Sequence, residues 1–500
     1  MLDDRTGAQA ASHRNRSASL TGSPSWDLIV VGGGSAGLPA AIFAARRGAS
    51  VLLLDCADQL GGSLWVATGQ MSAAGTLVQQ QRGIIDTPDL HFEDVMRISR
   101  GTANPAIVRL AVDNAAETFD WLMEEGFEPL PEHPVKGLGH EPYREARYYW
   151  GKDGGITIKN VLVPIVEEFA RQNIISIGLG HHVTRLIVDD DQNVVGVAAL
   201  DPTGIEQVYQ AGAVALTCGG YAGNPEMFEK LNGYPQYNAA PWPCSRGDGL
   251  QLGEAAGGYA RGHENIFVNF GTLFDTNEFP ARMTARIEHF PERRPPWEIY
   301  VNASGNRFIR EDIESVDARE MALFHQPDYR YWIVFDERIF RESPPMITGW
   351  TREKMREAFD RSGPAFLSGE TIGALAEKAG ISAEGLCASV SGYNYGVSTG
   401  KDFFGRMFKP LPIVEPPFRA IRMQASAISS AVGLAVDDSL RVIRRDGSPI
   451  PNLYAAGEIL GSSQTMGKAA CGGMMVTPAM TFGRMLGQSL IPFPKEQVTQ

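Results

Sequence analysis

The chain has 500 residues, 43% of them hydrophobic, enough to bury a large core and too many for one compact unit, so two or three domains are expected. A formal net charge of -13 argues against nucleic acid or an anionic membrane surface as partner. The five cysteines (Cys56, Cys218, Cys244, Cys387 and Cys471) are scattered without a C-x-x-C pair, which disfavours a zinc or disulfide framework and fits a reducing compartment.

Residues 1–25 are polar and read as a disordered tail, with no apolar signal-peptide core and no twin-arginine pair. No apolar run is long enough to span a bilayer, so a cytoplasmic protein is expected. Residues 28–31 (LIVV) then form a short apolar run suited to a buried parallel strand. Gly32, Gly34 and Gly37 follow at G-x-G-x-x-G spacing. That spacing gives a tight turn, a close backbone approach for a pyrophosphate, and helix-on-strand packing. Residues 40–47 suit a helix ended by Gly48, 51–54 a second strand, and Asp55 stands at its end, placed to accept hydrogen bonds from a ribose. Strand, turn, helix, strand and acid all fall at the right offsets, so the signal is much stronger than the glycines alone.

Residues 59–76 form a loop with Gly61, Gly62, Gly69 and Gly75, whose backbone can lie close to a flat ligand, and Ser63 and Thr68 offer hydroxyls there. Residues 86–130 read as helical. Residues 131–150 are irregular and dense in rings and cations, among them His133, His140, Tyr143, Arg144, Arg147, Tyr148, Tyr149 and Trp150; such stretches are often functional loops. A helix is expected over about 158–171. Strands at 174–179, 183–189, 194–200 and 205–210 suggest a small antiparallel sheet. A further buried strand, 213–217, delivers Cys218-Gly219-Gly220, and Arg246-Gly247-Asp248-Gly249 opens a helix.

Between about 262 and 410 prolines and aromatics increase and the nucleotide motifs stop, which marks an inserted second domain. It holds a hairpin at 300–308, a strand at 331–335 and helices near 351–359, 370–379 and 383–393. The chain end returns to the first domain with a strand at 453–458 (LYAAGE), and Gly472-Gly473 starts a helix whose free N–H groups suit an electron-rich ligand atom. Three glycine-flanked strand ends, remote in sequence, would meet at one sheet edge, where open α/β sheets bind ligands.

One dinucleotide fingerprint is present and no second one, so the ligand is NAD or FAD, and the distant C-terminal segment favours FAD. The pieces VVGGGSAGLPAAIFAARRGASVLLLD, GGS at 61–63, AVALTCGGYAGNPEM at 213–227, GDG at 247–249, YVNASGNRF at 300–308, LYAAGE at 453–458 and TPAMTFGRMLG at 477–487 resemble, in order, the fumarate reductase / 3-ketosteroid dehydrogenase superfamily of FAD flavoproteins. The resemblance implies an α/β fold, a Rossmann-like FAD-binding domain interrupted by an α+β capping domain. The divisions expected are 26–262 and 412–500 for the FAD-binding domain and 263–411 for the cap, with substrate between them. Carried over by motif, Gly32, Gly34, Ala36, Gly37, Asp55, Gly62, Ser63, Val183, Gly219, Glu458, Gly473, Met475 and Val476 would contact FAD. No histidine in 59–76 is available for a covalent link, so non-covalent FAD is expected.

The departures are specific. The fumarate reductase arginine before the last Gly-Gly pair is replaced by Lys468-Ala469-Ala470-Cys471. Family histidines fall on Ser429 and on Asn269-Phe270-Gly271, and the shuttle arginine falls near Ser315. Fumarate reduction is therefore disfavoured. The PAMTFG ending is closer to ketosteroid dehydrogenases, in which Gly473 would supply an N–H to the ketone, yet their tyrosines fall on Ala469 and Ser315. Removing a proton next to a ketone needs a base and an oxyanion stabiliser. Tyr149, Tyr148 and Tyr300 are the candidate bases, with His140 behind them. Arg144 and Arg147 are candidates for a substrate carboxylate or for surface ion pairs, and Cys471 reads as a small buried hydrophobe. The leading expectation is desaturation of a ketone, cyclic or small, at its α,β-bond. Reduction of an enone or enoate, and a flavin-binding protein without turnover, are the alternatives. The substrate would be a small ketone or enone; the electron acceptor stays open among oxygen, a quinone and a carrier protein.

Overall fold

The computed structural model describes residues 25–137, 140–288, 290–291 and 293–490. The expected tail up to residue 24 lies outside them.

The larger sheet runs, in spatial order, Arg441–Ile443, Pro449–Ala455, Glu206–Leu216, Ser25–Val31, Val51–Asp55 and Ile175–Leu179. The last five are mutually parallel, and Ala455, Leu216, Val31 and Leu54 pair in one row. Their C-terminal ends are therefore level, and the glycines that follow three of them share one edge. The expected separate antiparallel sheet does not exist. Residues 206–216 form one continuous strand: its first half pairs antiparallel with Val194–Leu200, its second half parallel with Ser25–Val31. Gly212, which reads as a break, is a strand residue. A Cβ there would come within 3.3 Å of the Asp27 carbonyl oxygen, so its side chain is missing for packing, not for a turn.

Helix Gly37–Arg46 lies against helix Val476–Ser489. Gly483 and Gly487 make this possible, since a Cβ at either would overlap the carbonyls of Ala36 and Ala40. The two ends of the chain are thus locked backbone to backbone beside the first glycine turn. Helices Pro88–Ile98 and Pro105–Asp113 begin with Thr87 and Asn104 as side-chain caps and proline in the first turn, which satisfies otherwise orphaned N–H groups.

A second sheet of six strands is antiparallel: Met283–Arg286, Asn269–Phe274, Phe418–Ser426, Arg330–Phe335 and Ile299–Val301, with Phe366–Gly369 also paired to Phe418–Ser426. Its most connected strand begins after residue 411, where the return to the first domain is expected. The composition shift misses this because Phe418–Ser426 (FRAIRMQAS) is mostly buried despite its two arginines, and only pairing assigns it to the second sheet. Among the described residues no helix is long and apolar enough to cross a membrane.

Candidate active site

The level strand ends open into a cleft of about 790 Å³, open mouth included. Gly32, Gly34, Ala36, Asp55, Gly62, Ser63, Val183, Gly219 and Glu458 line it. The motif glycines divide the work as their spacing implies. Gly32 has φ +102° and a Cβ there would sit 2.5 Å from Cys218 Cα, while a Cβ at Gly37 would overlap the Gly32 carbonyl oxygen. Gly34 is different: a Cβ there would meet no atom nearer than 3.8 Å, and it faces the cleft. Gly37 is thus a packing residue rather than a wall of the site. Sequence reasoning missed His181, Trp242, Cys244 and Ser245, which also line the cleft. They stand on connecting segments without a motif, so no local signal marks them.

Two carboxylates line this cleft, Asp55 buried and Glu458 half-buried. Asp55 accepts the Gly33 N–H at 2.7 Å on Oδ2 and the Ala57 N–H at 2.8 Å on Oδ1. Glu458 accepts the Ser430 N–H at 2.8 Å on Oε1. Burial pushes the pKa of both upward, and these backbone hydrogen bonds oppose it. Each carboxylate keeps acceptor capacity for ligand hydroxyls. Asp55 also braces the glycine turn itself, a second role its position in the sequence does not announce.

Gly473, Met475 and Val476 stand apart from the cleft walls, at the start of helix Val476–Ser489. Gly473 has φ +79° and packs against the Met71–Ser72 backbone. The Ser72 N–H donates to Thr477 Oγ1 at 2.8 Å, but Ser72 Oγ is buried without a hydrogen-bond partner. The Tyr143 hydroxyl donates to the Gly472 carbonyl. Both stand on stretches expected near the ligand, 59–76 and 131–150, but neither is singled out there as a site residue.

The expected bases are buried side chains in three different surroundings. The Tyr149 ring lies 4.1 Å from that of Phe119, and its hydroxyl is 2.7 Å from Thr76 Oγ1. Tyr300 is buried in the second sheet against Phe270 and Tyr331. Tyr148 packs against Gly472. Burial pushes all three phenols up, so they hold their protons near neutrality; like Gly473, Met475 and Val476, none lines the cleft. Arg147 is not on the surface: its guanidinium, with Asp86 at 2.7 Å and Asp94 at 2.9 Å, is fully buried. Arg144 pairs with Glu93 and Asp94. Neither cation is open to a substrate carboxylate. Cys471 is a buried thiol, as expected.

His140 does meet partners. Its Nδ1 is 3.3 Å from Asp317 Oδ1, and the neighbouring Glu141 N–H donates to Asp317 Oδ2 at 3.2 Å. Glu320, one helical turn further, completes a group whose ligating atoms all lie within 4.8 Å. Ser315 caps that helix through the Ala318 N–H, so the position expected for a shuttle arginine is structural here.

A family model described as "FAD binding domain" matches residues 27–474. The chain belongs to this family. A fumarate reductase (cytochrome) of Shewanella frigidimarina is 28% identical over 514 residues, covering 99% of this chain and 79% of the relative. A 4-oxocyclohexanecarboxylate 2-dehydrogenase of Sinomonas cyclohexanicum is 25% identical over 557 residues, covering 94% of each. The crystal structure of a 3-ketosteroid delta1-dehydrogenase from Sterolibacterium denitrificans superposes with a TM-score of 0.72 at 21% identity, over 93% of this chain and 99% of that one; at that identity the likeness is one of fold. This family member is thus an FAD-dependent oxidoreductase. Its residues fit the cofactor: an open approach at Gly34 and two carboxylates, Asp55 and Glu458, on the cleft wall for hydroxyls.

Proposed function

We propose that this flavoprotein works on the α,β carbon–carbon bond next to a carbonyl or carboxylate in a small molecule, and that its working direction is reduction of the unsaturated compound. FAD, when bound, supplies the hydride chemistry. Asp55 and Glu458 hold its hydroxyls, Gly34 admits its pyrophosphate, and the N–H groups from Gly473 to Val476 favour negative charge at the ring edge. The six-stranded unit caps the substrate space, with the His140–Asp317 contact at the seam.

The observation that carries the direction is the similarity, along 99% of the chain, to a fumarate reductase (cytochrome). Desaturation of a ring ketone is the second reading, favoured by the end-to-end similarity to the oxocyclohexanecarboxylate enzyme. The test is anaerobic. Protein reduced with dithionite is mixed with cyclohex-2-enone, cinnamate or fumarate, and the return of the oxidised flavin band is followed. Reoxidation by one of them is the expected result. Bleaching of the oxidised protein by 4-oxocyclohexanecarboxylate, with no reoxidation by any unsaturated compound, reverses the direction.

A further inference from the structure

Four titratable groups from three remote segments gather where the 140–150 stretch meets the second sheet. His140 comes from the irregular stretch, Asp317 and Glu320 from helix Val316–Phe324, and Arg286 from the end of strand Met283–Arg286. Asp317 and Glu320 are buried, while the His140 side chain is 33% exposed; it is the member of the trio with an open face. Nδ1 is directed at Asp317, which leaves Nε2 for exchange. Glu320 accepts the Phe270 N–H at 3.4 Å and lies within electrostatic reach of His140, Asp317 and Arg286.

The group lies near the Gly472–Gly473 turn. Three residues of chain, at most about 11 Å when extended, separate His140 from Tyr143, whose hydroxyl holds the Gly472 carbonyl. Asp317 is near enough for its charge to raise the pKa of Cys471, next to Gly472.

We propose that His140 is the catalytic acid that exchanges the α-proton of the substrate, with Asp317 as its positioning residue and Glu320 as the proton store behind it. This rests on the α,β-redox reading above. In the reducing direction the new Cα–H bond takes the proton from His140 Nε2, and the electron pair of the broken N–H bond stays on the imidazole. Glu320 returns a proton to the ring and is itself reprotonated from water. The hydride at Cβ belongs to the cofactor, recharged by an external two-electron donor, dithionite in the test.

Protonation states fit this use. Burial, and then the Asp317 charge, push Glu320 up to about 7, against the pull of His140, the Phe270 N–H and Arg286. For His140, burial and Arg286 act downward, but the Glu320 and Asp317 charges and the Asp317 hydrogen bond win and raise it. Both raised groups hold protons near neutrality. Their contribution to stability is complete at low pH and is lost as pH rises through these raised values.

The experiment uses the FAD-loaded full chain with His140→Gln, Asp317→Asn and Glu320→Gln. The readouts are stopped-flow reoxidation by cyclohex-2-enone across pH 5–9 and the His140 ring titration by nuclear magnetic resonance without substrate. The wild type should slow as pH rises through the cluster. H140Q should reoxidise about 100-fold more slowly or worse, the usual scale of lost general acid catalysis, with a flat pH profile and unchanged flavin content. In D317N and E320Q the ring titration and the pH limb should move down together, by about one pH unit, a coupled shift that damage to packing alone does not produce. H140Q that keeps the wild-type rate and pH profile overturns the assignment and leaves the α,β-redox reading standing. A wild type that is neither reoxidised by enone nor bleached by ketone removes that reading instead, while the ring titration still reports the cluster.

Discussion

In the nucleotide cleft the groups that would meet the ligand are mostly backbone, supplied by glycine turns at level strand ends, with Asp55 and Glu458 as fixed side-chain acceptors. At the seam around His140 the functional groups are all side chains, brought from residues 140, 286, 317 and 320 by the docking of one layer on another. The first region depends on short-range spacing and tolerates little atomic volume. The second depends on charge balance and tolerates volume but not the loss of a proton carrier. A fold can therefore keep its cofactor motif intact while its catalytic groups are replaced, as the unmatched family positions at Ser315, Ser429 and Ala469 illustrate.

The comparison breaks most sharply at Gly37. A Cβ there overlaps a backbone carbonyl that cannot move aside, so Gly37→Val should yield colourless protein that takes up no FAD. A yellow G37V protein would mean that the cradle is far softer than its geometry. Next in size is Arg147, which belongs to neither region. Arg147→Ala strands the buried carboxylates Asp86 and Asp94 and should cost about 3–5 kcal/mol, read from urea unfolding. Glu458→Gln should weaken FAD about 10- to 100-fold by removing a charge-assisted acceptor, measured by fluorescence titration of the apoprotein. Smallest is Tyr149→Phe, which loses one buried hydroxyl bond to Thr76. About 1 kcal/mol of stability should go, with the reoxidation rate by enone unchanged; a large rate loss would return Tyr149 to the chemistry.

The G-x-G-x-x-G unit, Asp55 and the helix after Gly473 are legible because their function follows from chain neighbours at short fixed offsets. The continuous strand Glu206–Leu216 was not, since Gly212 carries the same letter whether it breaks a strand or spares a neighbouring carbonyl. Residues 148, 149 and 300 read alike as phenols, and only the tertiary structure shows how each is buried, against Gly472, Phe119 and Tyr331.

What residue order alone determined is the nucleotide cradle and the family, because backbone conformation at glycines and alternation along strands are local properties. What only the tertiary structure decided is which side chains carry protons. An imidazole acquires that capacity from carboxylates about 180 residues away, and no local pattern encodes a distance of 3.3 Å between His140 and Asp317.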